Sequence, residues 1–195
     1  LYFYNPDFGI WLEDNEFLQD LISVIYPNAT EKQAFDTLYK IARQSQMREI
    51  QGNYTVIGKQ LYNAKTGIFE ETTPEITATR KIKTGYSPGA EEPIINGWKP
   101  TAWLLELFDG DKELYNLAIQ IIKASVTGQS LQKIFWLFGE GGTGKGTFQQ
   151  LLINLVGMEN VASLKITGLT KSQFSTSILL GKSLVIGDDV QKDAV

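Results

Sequence analysis

The 195-residue chain contains neither cysteine nor histidine. Without cysteine there is no disulfide, no thiolate metal ligand and no thiol nucleophile. Without histidine the commonest general base and the commonest transition-metal ligand are missing, so any chemistry must run on carboxylates, lysines, hydroxyls and hard cations. That restriction suits phosphoryl chemistry on Mg²⁺. Arginine is scarce as well, with Arg43, Arg48 and Arg80 the only examples. No apolar run approaches membrane-spanning length and no secretory signal is visible, so a cytosolic protein without a membrane partner is the default expectation. A net charge of −4 argues against a broad nucleic-acid-binding surface and leaves room for a local patch. The first methionine is Met47, so Leu1 is not read as an initiator and the chain is expected to be a piece of a longer protein.

Against these absences stands a glycine-rich turn. Ile134 to Phe138 is an apolar run short enough for a buried strand. It enters Gly139-Glu140-Gly141-Gly142-Thr143-Gly144-Lys145-Gly146-Thr147, and a helix-compatible segment runs on from Thr147 to Val156. Strand, glycine turn, lysine and helix in this order form the layout of a phosphate-binding loop. The glycines let backbone N–H groups converge on an anion, and the helix points the positive end of its dipole at the same place. Lys145 supplies the full charge that reaches the outer phosphates of a nucleoside triphosphate. In the slot after the lysine, where a hydroxyl normally binds Mg²⁺, stands Gly146. Thr147 comes one place late, about 100° further round the helix. Its hydroxyl is expected to touch a phosphate or to reach the metal through water. A glycine-rich turn with a solvated lysine and no ligand is the competing reading.

A second element completes the expected site. Leu184-Val185-Ile186-Gly187 is an apolar strand leading into Asp188-Asp189. A carboxylate at the mouth of a strand beside a phosphate loop holds Mg²⁺, and a second one orients the attacking water. Two adjacent negative charges also make a poor buried pair without a cation nearby. The interval between Lys145 and Asp188 has room for a helix, a strand at Val161 to Lys165 and a connection, as a parallel sheet requires. The plainer alternative is that the two acids only end a strand in a turn.

The rest of the chain reads as support. Asn5-Pro6-Asp7 marks a hairpin between aromatic-rich stretches. Asp14 or Asn15 opens a helix carrying Phe17, Leu18, Leu21, Ile22 and Ile25, and Thr30 opens a second with Phe35, Leu38, Tyr39 and Ile41 on a core face. Tyr54 to Tyr86 reads as strands turning at Gly58-Lys59 and Asn63-Ala64-Lys65-Thr66-Gly67. Arg80-Lys81-Ile82-Lys83 is read as a strand edge with solvated lysines in preference to a phosphate contact. Ser87-Pro88-Gly89-Ala90-Glu91-Glu92-Pro93 is the expected linker. It divides an α+β domain, residues 1–89, from a helical lead-in and the first part of an ATPase core, residues 90–195. In the second part Pro100 opens a helix with Trp103, Leu104, Leu107 and Phe108 inward. Asp109 or Asp111 opens another with Leu114, Leu117, Ala118, Ile121 and Ile122 as its apolar stripe, ending at Gly128.

The segments Phe138 to Phe148, Leu180 to Ile186 with Asp188-Asp189, and Asn63 to Phe69 together resemble superfamily 3 helicases, above all the helicase halves of phage and plasmid primase-helicases. The N-terminal part resembles the poxvirus- and phage-type domain that precedes such helicases. The resemblance implies an α/β fold with an AAA+-like P-loop parallel-sheet core, ATP and Mg²⁺ as cofactors, a ring that is usually a homo-hexamer, and single-stranded DNA as partner in the cytoplasm of a bacterial host. By it, Lys145 contacts the β- and γ-phosphates, Thr147 assists phosphate or metal, Asp188 holds Mg²⁺ and Asp189 polarises water. The family's sensor asparagine, arginine finger and DNA-contacting hairpin have no positions before Val195. An arginine finger contributes about 10³ to 10⁵ in related phosphoryl transfers, so weak nucleotide binding with little or no hydrolysis is expected of this chain. Two rival functions remain. The run Gly144 to Phe148 also resembles the loop of nucleoside monophosphate kinases, and a loader or adaptor would use nucleotide only to set its assembly.

Overall fold

The structure, a computed structural model, describes residues 1–164, 177–179 and 181–187. They form a mixed α/β arrangement with small sheets. Strands β1 (Tyr2–Asn5) and β2 (Ile10–Glu13) pair antiparallel. The Asn5 side chain accepts from the N–H groups of Asp7 and Phe8 at 3.0 and 3.2 Å, which turns the chain at Pro6. Helix α1 (Asn15–Ile25) starts where the Asp14 carboxylate accepts from Phe17 N–H at 2.9 Å. Helix α2 (Glu31–Gln44) starts with a reciprocal capping box between Thr30 and Gln33.

These two helices bury less than their periodicity predicts. Ile22, Ala34 and Leu38 form the contact, with Leu1 and Leu18 against it. The expected core residues Phe35, Tyr39 and Ile41, together with Phe17, Leu21 and Ile25, are exposed. A pair of helices hides one narrow seam; Phe3 of β1 stacks on Phe17 at 5.2 Å, yet these apolar faces stay largely open to solvent.

The central sheet has the order β5 (Ile68–Glu71), β4 (Gln60–Asn63), β3 (Tyr54–Ile57), β6 (Lys81–Ile82). Its first three strands are antiparallel and β6 runs parallel to β3. Side-chain alternation gives it two buried faces. Val56 and Leu61 pack on Ile10 and Ala78 on one side, while Ile57 and Ile82 pack on Val156 on the other.

Helices α3 (Pro100–Glu106), α4 (Lys112–Thr127) and α5 (Lys145–Val156) share a core of Leu104, Ala118, Phe148 and Leu152. Phe108 meets Phe148 edge-on at 6.4 Å. Ala118, Ile121 and Ile122 face this core as expected, whereas Leu114 and Leu117 are exposed. Asp111 caps α4 by accepting from the N–H groups of Glu113 and Leu114 at 2.8 and 3.1 Å. Asp111→Ala is expected to cost about 1 kcal/mol in urea unfolding, with the slope unchanged. Gly128, at φ +68°, ends α4.

The expected strand at Ile134 to Phe138 is not formed. Ile134 is 78% and Phe138 87% exposed, and only Leu137 of the run tucks against the Leu104 cluster. A strand satisfies its N–H and C=O groups only through a neighbour, and no described strand lies alongside it. Among the described residues, parallel pairing in this half is that of β7 (Val161–Ser163) with β8 (Leu184–Ile186). The P-loop parallel-sheet core is therefore not seen as a sheet. Lys165, expected in β7, lies outside the described residues. No helix among the described residues is long and apolar enough to cross a membrane.

Hydrogen bonds join residues on either side of the Ser87 to Pro93 stretch. Thr55 Oγ1 donates to Thr127 O at 2.9 Å, and Asn160 Nδ2 donates to Lys81 O at 2.8 Å. Arg80 Nη1 donates to Gly128 O at 3.3 Å, while Nη2 donates to the carbonyls of Gly52 and Tyr54. Arg80 is thus a buried tie between segments, and of the two lysines expected to be solvated only Lys83 is exposed, since Lys81 is half-buried and its ammonium donates to Phe8 O at 2.9 Å.

Candidate functional site

Helix α5 begins at Lys145, two residues before the sequence reading places it, with Gly144 as its N-cap at φ +84°. Among the described residues no side chain caps this end. No acidic residue stands in the first turn, so nothing on the helix opposes an anion at its positive end. The preceding loop is held in shape by its own groups. Thr143 Oγ1 donates to Glu140 O at 2.8 Å, and Lys145 Nζ donates to Gly139 O and Glu140 O, both at 2.8 Å. The ammonium also lies 3.4 Å from Thr143 Oγ1. It therefore sits inside the turn, ringed by carbonyl and hydroxyl oxygens.

Three loop glycines have positive φ: Gly139, Gly142 and Gly144. At Gly144 the requirement is twofold, because a Cβ there would also meet Leu107 Cδ1 beneath the loop. Leu107, at the end of α3, is the supporting residue that sequence reasoning missed. Its periodicity marks it as apolar but carries no sign of which loop it touches. Gly139, Glu140, Gly141, Gly142, Thr143, Gly146 and Thr147 are open to solvent, and Lys145 is half-buried. The structure thus brings Lys145 and the glycines together.

Asp188 and Asp189 lie outside the described residues. Strand β8, which leads to them, packs through Leu184 against the cores that hold Phe148, Leu152 and Val156 of α5. For a triphosphate the donors present fit: backbone N–H groups at an uncapped helix start and one ammonium. For Mg²⁺ they fit in part, since Gly146 offers no oxygen and Thr147 is exposed. Among the described residues no group of three or more acids gathers as a metal centre. A cleft of about 350 Å³ lined by Lys59, Gln60, Phe69, Glu70, Glu71 and Thr72 lies on the central sheet and includes no loop residue.

Residues 137–195 match a family of unknown function, DUF5906. No curated protein matches the chain. Residues 4–104, just over half of the chain, match the family described as D5 N terminal like. That family is typical of phage and viral primase-helicase proteins, and neither match names an enzymatic domain. On this match the chain belongs to the D5 N terminal like family.

Proposed function

We propose that this chain is part of an ATP-dependent DNA helicase of the primase-helicase type, with its nucleotide held at residues 139–147. The observation that supports the reading best is the loop itself. An ammonium is stationed among glycines with positive φ, at the uncapped start of a helix that carries no acid. On binding, Lys145 exchanges its contacts to Gly139 O and Glu140 O for phosphate oxygens, a stronger charge-assisted pairing. The N–H groups of Thr143 to Gly146 face the same anion, and Thr147 lends its hydroxyl. Asp188 and Thr147 would hold Mg²⁺, which would supply charge neutralisation between the phosphates, and Asp189 would orient water. The division of the chain at residues 89 and 90, single-stranded DNA as partner, the hexameric ring and the bacterial cytoplasm belong to the same proposal. Membership of a family typical of primase-helicases supports a role in replication.

The test is ligand-dependent stability. At a hundredfold excess of ATP–Mg²⁺ over its dissociation constant, the folded state gains about 2.7 kcal/mol. Lys145→Ala is expected to abolish the shift while leaving the unliganded midpoint within about 0.5 kcal/mol, since the side chain is only half-buried. An unchanged shift in Lys145→Ala would remove the loop from consideration. Phosphate transfer to AMP would favour the kinase alternative, and nucleotide binding without DNA-stimulated turnover in the full-length protein would favour the loader.

A further inference from the structure

Helix α5 has one end in the candidate loop and the other in the N-terminal sheet's territory. Val156 is 1% exposed and packs on Ile57 of β3 and Ile82 of β6. The chain then turns at Gly157 and passes through the 3₁₀ turn Met158–Asn160, which returns Asn160 beneath the helix end. Asn160 is 4% exposed, and its amide nitrogen uses two hydrogens on two different elements. It donates to Val156 O at 2.7 Å, closing the last turn of α5, and to Lys81 O at 2.8 Å in β6. The Asn160 main-chain carbonyl accepts from Ser183 N–H at 2.9 Å, one residue before β8. One buried residue thus meets the loop helix, the N-terminal sheet and the strand leading to the acid pair.

We infer that Asn160 is the positioning residue through which the occupancy of the phosphate loop is felt in the N-terminal sheet. The inference rests on the nucleotide reading of the loop. A three-turn helix transmits displacement as a stiff rod about 18 Å long. A shift of its first turn as Lys145 leaves the loop carbonyls must therefore reappear at Val156. The nearby Lys83–Glu159 ion pair, 3.1 Å apart with side chains 82% and 47% exposed, is too solvated to carry it. The Asn160 bonds are buried, and severing them leaves two carbonyls without a partner.

The readout is hydrogen exchange at Val56 and Gly58, whose N–H groups donate to Arg80 O and Ile82 O at 2.9 and 2.8 Å and so report the seating of β6. In the wild-type chain, saturating ATP–Mg²⁺ is expected to slow both by about tenfold. In Asn160→Asp, of the same shape but without the donors, the slowing falls below about twofold while a fluorescent ATP analogue still binds. Asp111→Ala, destabilised at a distant cap, keeps the tenfold effect, which separates positioning from general loss of stability. The analogue binding to wild type without slowing Val56 and Gly58 overturns the inference, whether or not Asn160→Asp folds. Full slowing in a folded Asn160→Asp overturns it as well. No binding to wild type overturns the nucleotide reading itself, and the inference falls with it.

Discussion

Arg80→Ala is expected to destabilise the chain by about 3 kcal/mol, because it strips the donor from three part-buried carbonyls, at about 1–3 kcal/mol each where water cannot replace it. Arg80 is 8% exposed and reaches Gly52 O, Tyr54 O and Gly128 O. Burial pushes its pKa down, yet a guanidinium remains charged at any pH the protein meets. Among the described residues no carboxylate bonds to it. What stabilises the charge is the end of α4, which has no basic residue in its last turn and exposes the negative pole of its dipole at Gly128. Arg80 supplies that cation from the sheet, and Thr55 Oγ1 bonds to Thr127 O beside it. Arg80→Lys should recover only part of the loss, since an ammonium on a flexible stem cannot present a planar fork to three acceptors. Arg80→Met keeps volume without donors and should resemble alanine. Urea midpoints at unchanged slope measure all three. An alanine variant within about 1 kcal/mol of wild type would mean that water satisfies these carbonyls.

What the sequence made legible is what short-range chemistry determines. Asp14, Thr30 and Asp111 cap the helices that their positions predict, and Gly128 ends α4, because a cap needs only groups within three residues of itself. The loop from Gly139 to Lys145 was readable for the same reason. Periodicity failed where the outcome depended on a distant partner. Phe35 and Tyr39 lie on an apolar face of α2 that nothing described covers, so their spacing reports the helix and not its burial. Ile134 to Phe138 has the composition of a buried strand and, among the described residues, lacks the neighbour that would make it one. Arg80 bears no local mark, since its partners stand dozens of residues away, and neither does the bond from Asn160 to Lys81. Asp188 and Asp189 lie outside the described residues, so their part in the site rests on the residue pattern alone.

Gly144→Ala is expected to remove ATP-dependent stabilisation altogether, an effect at least as large as that of Lys145→Ala, and the reason lies in the backbone more than in crowding. At φ +84° an alanine costs about 1–2 kcal/mol, and relaxing that strain rotates the peptide that opens α5 and re-aims the N–H groups of Lys145 and Gly146. The new Cβ also meets Leu107 Cδ1, the far end of a half-buried side chain. Moving that methyl group costs about 0.5–1.5 kcal/mol through an off-rotamer χ angle, the smaller of the two effects. The double variant Gly144→Ala with Leu107→Ala separates them. Leu107→Ala alone should lower stability by about 2 kcal/mol, the low end for a core leucine, and still respond to ATP–Mg²⁺. If backbone strain governs, the double variant remains unresponsive although the clash has gone. A double variant that regains the shift would instead assign Gly144 to packing on α3. A single variant with a full shift would show that the anion is held somewhere other than this turn.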